Sequence, residues 1–251
     1  MKKIKYIGIL FLALASCDIE NVSDCFQSTG AIITTEIEVE SFTKLRFEND
    51  ISVVLKQETI QKVVLETGEN LWSNIQIKVE DGVLIIQDNN SCNLTREYGV
   101  TKAYISVPNL TEIRNSSSRD ITSDGVLNFP SLSLVSNTTG NIEGTNKSGD
   151  FILQVDCENF NVQANGQSVF YITGESKSAY ISFSDEWPRF EGENFKIETL
   201  SISQRSATYM KVFPENKVSG EIRGTGDVIL VNRPDIIEVE EFFTGRLIIE
   251  D

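Results

Sequence analysis

Histidine is absent from this sequence of 251 residues, which also contains only four cysteines, two methionines and five prolines. Without histidine, the chain has no Ser-His-Asp or Cys-His catalytic set and no imidazole ligand for a metal ion. After residues 7–15, no apolar run approaches the roughly 20 residues that a transmembrane helix needs. We therefore exclude histidine-dependent enzymes and expect no cofactor.

Basic residues are also scarce, because 22 lysines and arginines stand against 37 aspartates and glutamates, a formal charge of −15. A surface of this sign repels nucleic acid and anionic lipid headgroups. We therefore expect no nucleic-acid partner. The same charge also keeps a protein soluble, so it does not by itself indicate a basic ligand.

The N-terminus has the layout of an export signal. Lys2, Lys3 and Lys5 precede an apolar run at 7–15, and Leu14-Ala15-Ser16-Cys17 follows. A positive start, a short apolar stretch and small residues before a cut are typical of a secretory signal. Leu-Ala-Ser-Cys resembles the lipobox of bacterial lipoproteins, which implies cleavage before Cys17 and lipid on its thiol. An ordinary signal with a chance cysteine is the alternative.

This reading divides the chain into a lipoprotein signal peptide at 1–16, a lipidated tether at 17–29 and one domain at 30–251. Removal of the signal takes away three lysines and no acid, which leaves 19 basic and 37 acidic residues, a formal charge of −18. Several acyl chains on one residue anchor a protein firmly, whereas one chain binds a membrane only marginally.

Three cysteines remain for an oxidising compartment, where disulfides persist. Alternation over residues 151–157 places Leu153, Val155 and Cys157 on one face, which predicts that Cys157 is a buried, unpaired thiol. Cys25 and Cys92 both lie in polar, loop-like segments, so we predict a disulfide between them. Such a bridge ties the start of the mature chain to the domain. Three free thiols are the alternative.

Short β-rich runs alternate with Gly, Asn, Ser and Asp turns through nearly all of the mature chain, which predicts an all-β fold. The first strands are expected at 31–40, 42–48, 51–57 and 60–66. One helical turn is expected within 66–71. Asp81-Gly82 separates two strand-like runs and predicts a hairpin, because glycine supplies the positive φ of a tight turn.

A unit of strand, small polar turn and short strand recurs from Leu110 onward. Its second strands open at similar intervals, apart from one longer step before Phe190, and the openings are Ile121, Ile142, Val162, Phe190, Met210 and Val228. A repeat of roughly 20 residues favours a β-solenoid, whose coils bury their apolar faces by stacking. A sandwich of hairpins is the alternative. It would use two-residue turns such as Asp124-Gly125 and Asn165-Gly166.

Over roughly residues 30–251 the sequence resembles the head GIN domain, or putative auto-transporter adhesin domain. The early module runs from Phe42-Thr43-Lys44-Leu45 through 51–55 to 82–86, and the repeat is clearest at 222–228. The resemblance implies a right-handed parallel β-solenoid, preceded by an N-terminal β module packed on the same domain. It implies no catalytic residues. Most turns depart from the Ser-Gly-Ser-Gly pattern of the family.

Carboxylates are the candidates for catalysis. Asp120, Asp156 and Asp227 fall near corresponding turns, and two suitably spaced carboxylates are the minimum for glycoside hydrolysis. Chance proximity is expected among 37 acids, so we predict no catalytic residues. Asp88-Asn89-Asn90 and 224–227 are rich in oxygen but lack calcium-loop spacing, and capped turns explain them. We therefore predict no metal site.

Aromatic residues are the candidates for stacking on sugar rings, although burial in a core is the competing interpretation of each. Tyr180 and Trp187 lie close together in a segment that has the polar composition of a protruding loop. The full candidate set is Trp72, Tyr171, Tyr180, Trp187 and Phe190.

These features predict a non-enzymatic envelope protein of a Gram-negative bacterium, joined to the membrane by lipid. It would act as an adhesin or bind a glycan, a matrix component or another envelope protein. Asp18 and Glu20 resemble an inner-membrane retention signal in some lineages and a surface-export signal in others. The family resemblance favours the outer membrane, facing outward, with a periplasmic face as the alternative. A glycan-active β-helix enzyme and a structural scaffold are the rival functions.

Overall fold

The structure, a computed structural model, describes residues 24–90, 92–94, 96–139 and 146–250. The predicted signal peptide, Cys17, part of the tether and Ile142 lie outside the described residues. Within those residues, no helix has both the length and the apolar character needed to cross a membrane.

The described chain is all-β, as predicted, and its strands form one curled sheet of 17 strands. The described segments also include two 3-10 helices, at Asp24–Phe26 and at Glu69–Asn74, and the second overlaps the predicted helical turn. The strands are β1 (Ile32–Ile37), β2 (Lys44–Asn49), β3 (Ile51–Gln57), β4 (Lys62–Gly68), β5 (Ile75–Glu80), β6 (Val83–Asp88), β7 (Thr101–Val107), β8 (Glu112–Ser117), β9 (Ile121–Asn128), β10 (Ser131–Ser136), β11 (Phe151–Ala164), β12 (Val169–Phe183), β13 (Arg189–Gln204), β14 (Met210–Ile222), β15 (Val228–Leu230), β16 (Ile236–Glu241) and β17 (Leu247–Ile249).

The N-terminal module belongs to the same sheet. β4 pairs antiparallel with both β1 and β7, whereas β2 and β3 pair in parallel with β8 and β9. β5 and β6 form the predicted hairpin, in which Asp81 and Gly82 have φ values of 51° and 74°. Asp124-Gly125 instead lies inside β9, and Asn165-Gly166 links two parallel strands, so neither pair forms a hairpin.

The C-terminal half of the sheet is a stack of parallel strands. β11, β12, β13 and β14 are 14, 15, 16 and 13 residues long, and each pairs in parallel with the next. Phe151 lies opposite Phe170, and Phe170 lies opposite Phe190, so the register advances by nearly the same step at each rung. The ladder hydrogen bonds of this region therefore join segments that are one repeat apart in sequence.

Each long strand bends near its middle. In β11 the alternation of buried and exposed side chains is interrupted by Glu158 and Asn159, which are both exposed, and it resumes at Phe160. The same interruption falls at 177–178 in β12 and at 198–199 in β13. Two consecutive exposed residues change which side chains point inward, so a single strand covers two sides of the same core.

Inward-facing side chains form columns across the parallel strands. One column contains Ile121, Phe151, Phe170, Phe190, Met210 and Val228, and all six are fully buried. The sequence alignment of the repeat was wrong at Val162, which lies opposite Leu134 and Ile181 in a second column. The error arises because β10 and the segment after it lengthen the step from Ile121 to its partner in β11.

Cys25 and Cys92 form a disulfide with a Cα–Cα distance of 4.4 Å, and 67 residues separate them in sequence. The bridge joins the first 3-10 helix to the segment between β6 and β7, where the amide of Leu94 also donates to the carbonyl of Cys25. Cys157 is a free and buried cysteine. Burial raises the pKa of its thiol to about 11, so the thiol is protonated at neutral pH.

The last described strands leave their apolar side chains half-covered. Ile237, Val239, Leu247 and Ile249 pack against the core but are only partly buried. Glu241 lies opposite Ile222 but is exposed, and its carboxylate accepts a hydrogen bond of 2.8 Å from the amide of Leu247. A charged side chain on an edge strand discourages the addition of another strand.

Phe170 lies at the centre of the aromatic part of the core, where its ring stacks on Phe151 with a centroid distance of 4.8 Å. We expect Phe170→Ala to lower the free energy of unfolding by about 3–5 kcal/mol, because the cavity cannot collapse between fixed rungs. Urea unfolding followed by circular dichroism measures this change. Tyr171→Ala, at a neighbouring outward position that is 38% exposed, is the control and should cost much less. Equal losses would contradict the column arrangement.

Candidate functional site

Four turns stack on one another at the end of the parallel strands. They span 184–188, 205–209, 223–227 and 242–246, and each contains five residues between two strands. Backbone hydrogen bonds join successive turns: Ala207 donates to Glu186 at 2.9 Å, Gly226 to Ser206 at 3.0 Å and Gly245 to Gly224 at 3.1 Å. Equal turn lengths therefore bring side chains from four rungs onto one continuous surface.

Exposed aromatic rings and arginines occupy this surface. Trp187 is 57% exposed, Phe242 is 50% exposed and Phe243 is 59% exposed. Arg205 and Arg223 lie on the two turns between them. Large exposed aromatic residues that are grouped together commonly mark a binding surface. We call these five residues, Trp187, Arg205, Arg223, Phe242 and Phe243, the aromatic–arginine surface.

The first of two shallow troughs on this surface has a volume of about 400 Å³. Trp187 and Phe243 stand on its sides, and its lining also includes both arginines and the small residues Ser206, Ala207, Gly224 and Thr225. A Cβ atom at Gly224 would lie 2.4 Å from the carbonyl oxygen of Ser206, so only glycine allows this close approach. The small side chains leave the floor of the trough open between the rings.

The second trough has a volume of about 570 Å³ and shares Arg223 with the first. Tyr180 and Phe242 are its aromatic residues, and Glu221, Glu238 and Glu240 contribute carboxylates. Gly220 has a φ of 130°, and a Cβ atom there would lie 2.0 Å from the carbonyl oxygen of Ile202. The two troughs therefore differ in charge, because the first has two arginines against Asp185 and Glu186, whereas the second has one arginine against three glutamates.

The two arginines differ in their partners. The guanidinium of Arg223 pairs with Glu221 at 2.8 Å and lies 3.8 Å from the centroid of the Phe242 ring. The hydrogen bond that the guanidinium donates to Glu221 raises the pKa of Arg223. Arg205 is exposed and makes no side-chain hydrogen bond or ion pair with any described residue, although its charge adds to the hydrogen bond from Arg223 in lowering the pKa of Glu221. It is thus a charged group that is available to a ligand.

The aromatic candidates from the sequence divide into three groups. Tyr180 and Trp187 lie beside the troughs, as the sugar-stacking hypothesis requires, whereas Phe190 is fully buried and Trp72 packs against the core. Tyr171 lies on β12 away from the troughs, where its hydroxyl accepts a hydrogen bond from Arg189. Sequence analysis missed Arg205, Arg223, Phe242 and Phe243. The signal that identifies them is their shared place in five-residue turns.

The aspartates that the sequence suggested for catalysis lie at strand ends or at a strand bend. Asp120 accepts a hydrogen bond of 3.1 Å from the amide of Asp150, and Asp150 in turn accepts one of 2.8 Å from Val169. Asp227 repeats the arrangement with the amide of Arg246 at 2.8 Å. Each of these aspartates precedes a strand and bridges it to the next rung. Asp156 lies instead at the strand bend, so the three candidates do not share one site.

The oxygen-rich segment at Asp88 is a capped turn. Its carboxylate accepts hydrogen bonds from the Thr101 hydroxyl at 2.7 Å and from the backbone and side chain of Asn90 at 2.9 and 2.7 Å. This is the Asx-type capping that competes with metal binding for such oxygens. Among the described residues, no group of three or more His, Cys, Asp or Glu side chains is arranged to hold a metal ion.

A further groove of about 510 Å³ lies over the strand bends. Its charged lining is mainly acidic, with two lysines against the five carboxylates of Asp156, Glu158, Glu175, Glu198 and Glu215, and Lys177 pairs with Glu158 at 2.7 Å. The groove lacks exposed aromatic rings, and its lining carries a net negative charge. The aromatic–arginine surface is therefore the better candidate for ligand binding.

Comparison with protein families finds that residues 41–234 match a family model described as "Putative auto-transporter adhesin, head GIN domain". Comparison with curated proteins finds no significant match.

Solved structures share the fold at low sequence identity. A putative adhesin from Bacteroides fragilis has a TM-score of 0.79 at 18% identity, over 89% of this chain and 100% of that chain. A putative adhesin from Parabacteroides distasonis has a TM-score of 0.65 at 12% identity, over 89% and 99%. A putative lipid binding protein from the same species has a TM-score of 0.62 at 14% identity, over 88% and 98%.

The bridging role of Asp150 has a pH signature. Burial, as the largest cause, raises the pKa of this carboxyl above its ordinary value, and the charge of Asp120 adds to the effect. The folded state then holds the proton more tightly than the unfolded state, so this contribution to stability is lost as the pH rises through the raised pKa. Asp150→Asn keeps an oxygen that can accept from Val169 but removes the charge.

We expect the free energy of unfolding of Asp150→Asn, relative to the wild type, to increase between about pH 3 and pH 6. Urea titrations of both proteins across this range measure the difference, in which the other carboxyls cancel. A difference that does not change with pH, or that falls, would show that the charge of Asp150 does not oppose folding.

Proposed function

Since this chain belongs to the family of putative auto-transporter adhesins with a head GIN domain, we propose that it is a non-enzymatic binding protein of the bacterial cell envelope. The observation that carries this proposal is the aromatic–arginine surface. Exposed aromatic rings and a guanidinium without an ion-pair partner are the groups that contribute most to recognition. Here they lie on a rigid stack of strands, so little conformational entropy is lost on binding.

The fold we propose is a right-handed parallel β-solenoid, preceded by the N-terminal β module that packs on the same domain. Support comes from the parallel register of β11 to β14 and from the nearly constant step that leads from Phe151 to Phe170 and on to Phe190. Repeated rungs give a long surface on which an extended ligand makes many weak contacts.

The location we propose is the outer surface of the outer membrane, with lipid on Cys17. The lipobox-like sequence supports the anchor, and membership of an adhesin family supports an outward face. The Cys25–Cys92 disulfide agrees with an oxidising compartment.

An enzymatic role has less support. The carboxylates of Asp120 and Asp227 accept hydrogen bonds from backbone amides, and Asp156 lies apart from them at the strand bend. Glycoside hydrolysis needs two carboxylates on either side of one bond, and these three residues do not form such a pair. A binding function therefore explains the exposed rings and arginines of the described residues better than an enzymatic function does.

The location is tested by adding protease to intact cells that carry a C-terminally tagged protein. We expect the wild type to be digested, and we expect Cys17→Ala to leave the membrane fraction because the acyl chains are lost. Opening the outer membrane first is the positive control for digestion. Protection of the wild type until that step would place the protein in the periplasm and would contradict the surface location.

Binding is tested with the same cells on immobilised mucin, matrix protein and polysaccharide. We expect the double variant Trp187→Ala, Phe243→Ala to reduce cell retention at least about tenfold on one of these surfaces, because two exposed ring contacts are lost. Tyr104→Ala removes an exposed ring on β7, away from the troughs, and should have no effect. Equal retention of the wild type and the double variant on all surfaces would contradict a binding role for this surface.

A further inference from the structure

We infer that the first trough of the aromatic–arginine surface binds a glycan carrying a single carboxylated sugar, whose ring stacks on Trp187 and whose carboxylate pairs with Arg205. This inference rests on the proposed binding function and names the ligand class of that same surface. It concerns chemistry that the family membership and the similar structures do not specify.

The aromatic rings point to sugar. Trp187 and Phe243 line one trough, and Tyr180 and Phe242 line the next. The turn that holds Trp187 and the turn that holds Phe243 are three rungs apart, which corresponds to about 14 Å at the usual strand spacing. Sugar rings present apolar C–H faces that stack on aromatic side chains, and a trough with rings at both ends suits a short oligosaccharide.

Arg205 points to an acid group on that sugar. Arg205 lines the trough together with Trp187 and Arg223, and it makes no hydrogen bond or ion pair with the described residues, although its charge acts on Glu221. Arg223, in contrast, is occupied by Glu221 and by the Phe242 ring. A planar guanidinium with free donors matches a carboxylate in a bidentate geometry. The arginine with free donors is therefore the one that selects the ligand.

The surroundings limit the ligand to an isolated acid group. Glu221, Glu238 and Glu240 line the second trough, and Asp185 and Glu186 border the first. Glu186, Glu221 and Glu238 each pair with a lysine or an arginine, whereas Asp185 and Glu240 have no ion pair within the described residues. A polyanion that continued into the second trough would be repelled by the carboxylate of Glu240. A neutral sugar there could donate hydrogen bonds from its hydroxyl groups to the carboxylates. The charge pattern thus favours one acidic sugar next to neutral ones.

A protein partner fits the surface less well. Stable protein interfaces bury about 800 Å² on each side around a contiguous apolar centre. Here the rings are separated by Ser206, Gly224, Thr225 and the two arginines, so no contiguous apolar centre forms. Rings that stand apart across a polar floor suit a ligand that alternates apolar faces and hydroxyl groups.

The test compares acidic probes with matched neutral ones by isothermal titration of the purified protein. The pairs are sialyllactose against lactose, and methyl β-glucuronide against methyl β-glucoside, so that each acidic probe carries one carboxylate. We expect at least one acidic probe to bind at least about tenfold more tightly than its neutral counterpart, since charged hydrogen bonds are worth more than neutral ones. Arg205→Ala should abolish that preference, and Trp187→Ala should weaken both members of the pair.

Arg233→Ala is the matched control, because Arg233 is exposed and lies in the segment between β15 and β16, away from the troughs. It should leave all affinities unchanged. Equal affinity for acidic and neutral probes, or an acid preference that survives Arg205→Ala, would overturn the inference while leaving a binding function intact. Absence of glycan binding by a protein that still retains cells on immobilised matrix protein would assign the surface to a protein partner. Absence of both would remove the proposed function as well.

Discussion

The structure depends on one constraint: strands β11 to β14 make their ladder hydrogen bonds with segments one repeat away along the chain, so every rung must return the chain to the same register. The four turns that stack between 184 and 246 each contain five residues, which is consistent with this requirement. It also places chemically similar side chains above one another, as in the column that contains Phe151, Phe170 and Phe190. Because side chains alternate along each strand, the register that aligns the buried columns also aligns the exposed side chains of successive rungs.

Local patterns predicted much of the fold. Alternation identified the strands and the buried Cys157, and glycine at position 82 identified the hairpin, because both depend on neighbouring residues. The alignment of the repeat failed at Val162, because the length of the connection before β11 is not encoded in any local pattern. The aromatic–arginine surface was only partly predicted for the same reason. Arg205, Arg223 and Phe242 become neighbours only when the register of four rungs is known.

Polar residues divide into two groups according to whether the backbone uses them. The aspartates that precede strands, among them Asp150 and Asp227, accept hydrogen bonds from backbone amides of the next rung and so stabilise the ends of the ladder. Arg205 has no such partner within the described residues, and its position is determined by the turn alone. Conspicuous carboxylates in a repeat of this kind are thus poor guides to activity, and side chains that the framework does not need are better ones.

The disulfide between Cys25 and Cys92 determines how the molecule carries mechanical load. Tension applied to the chain ahead of Cys25 passes through the sulfur atoms to Cys92 and bypasses the 67-residue loop between them. Strands β1 to β6 lie inside that loop and are shielded from extension. A pull exerted at the turns near Trp187 and Phe243 against an attachment ahead of Cys25 would therefore load the strands that follow Cys92 and would leave β1 to β6 inside the closed loop.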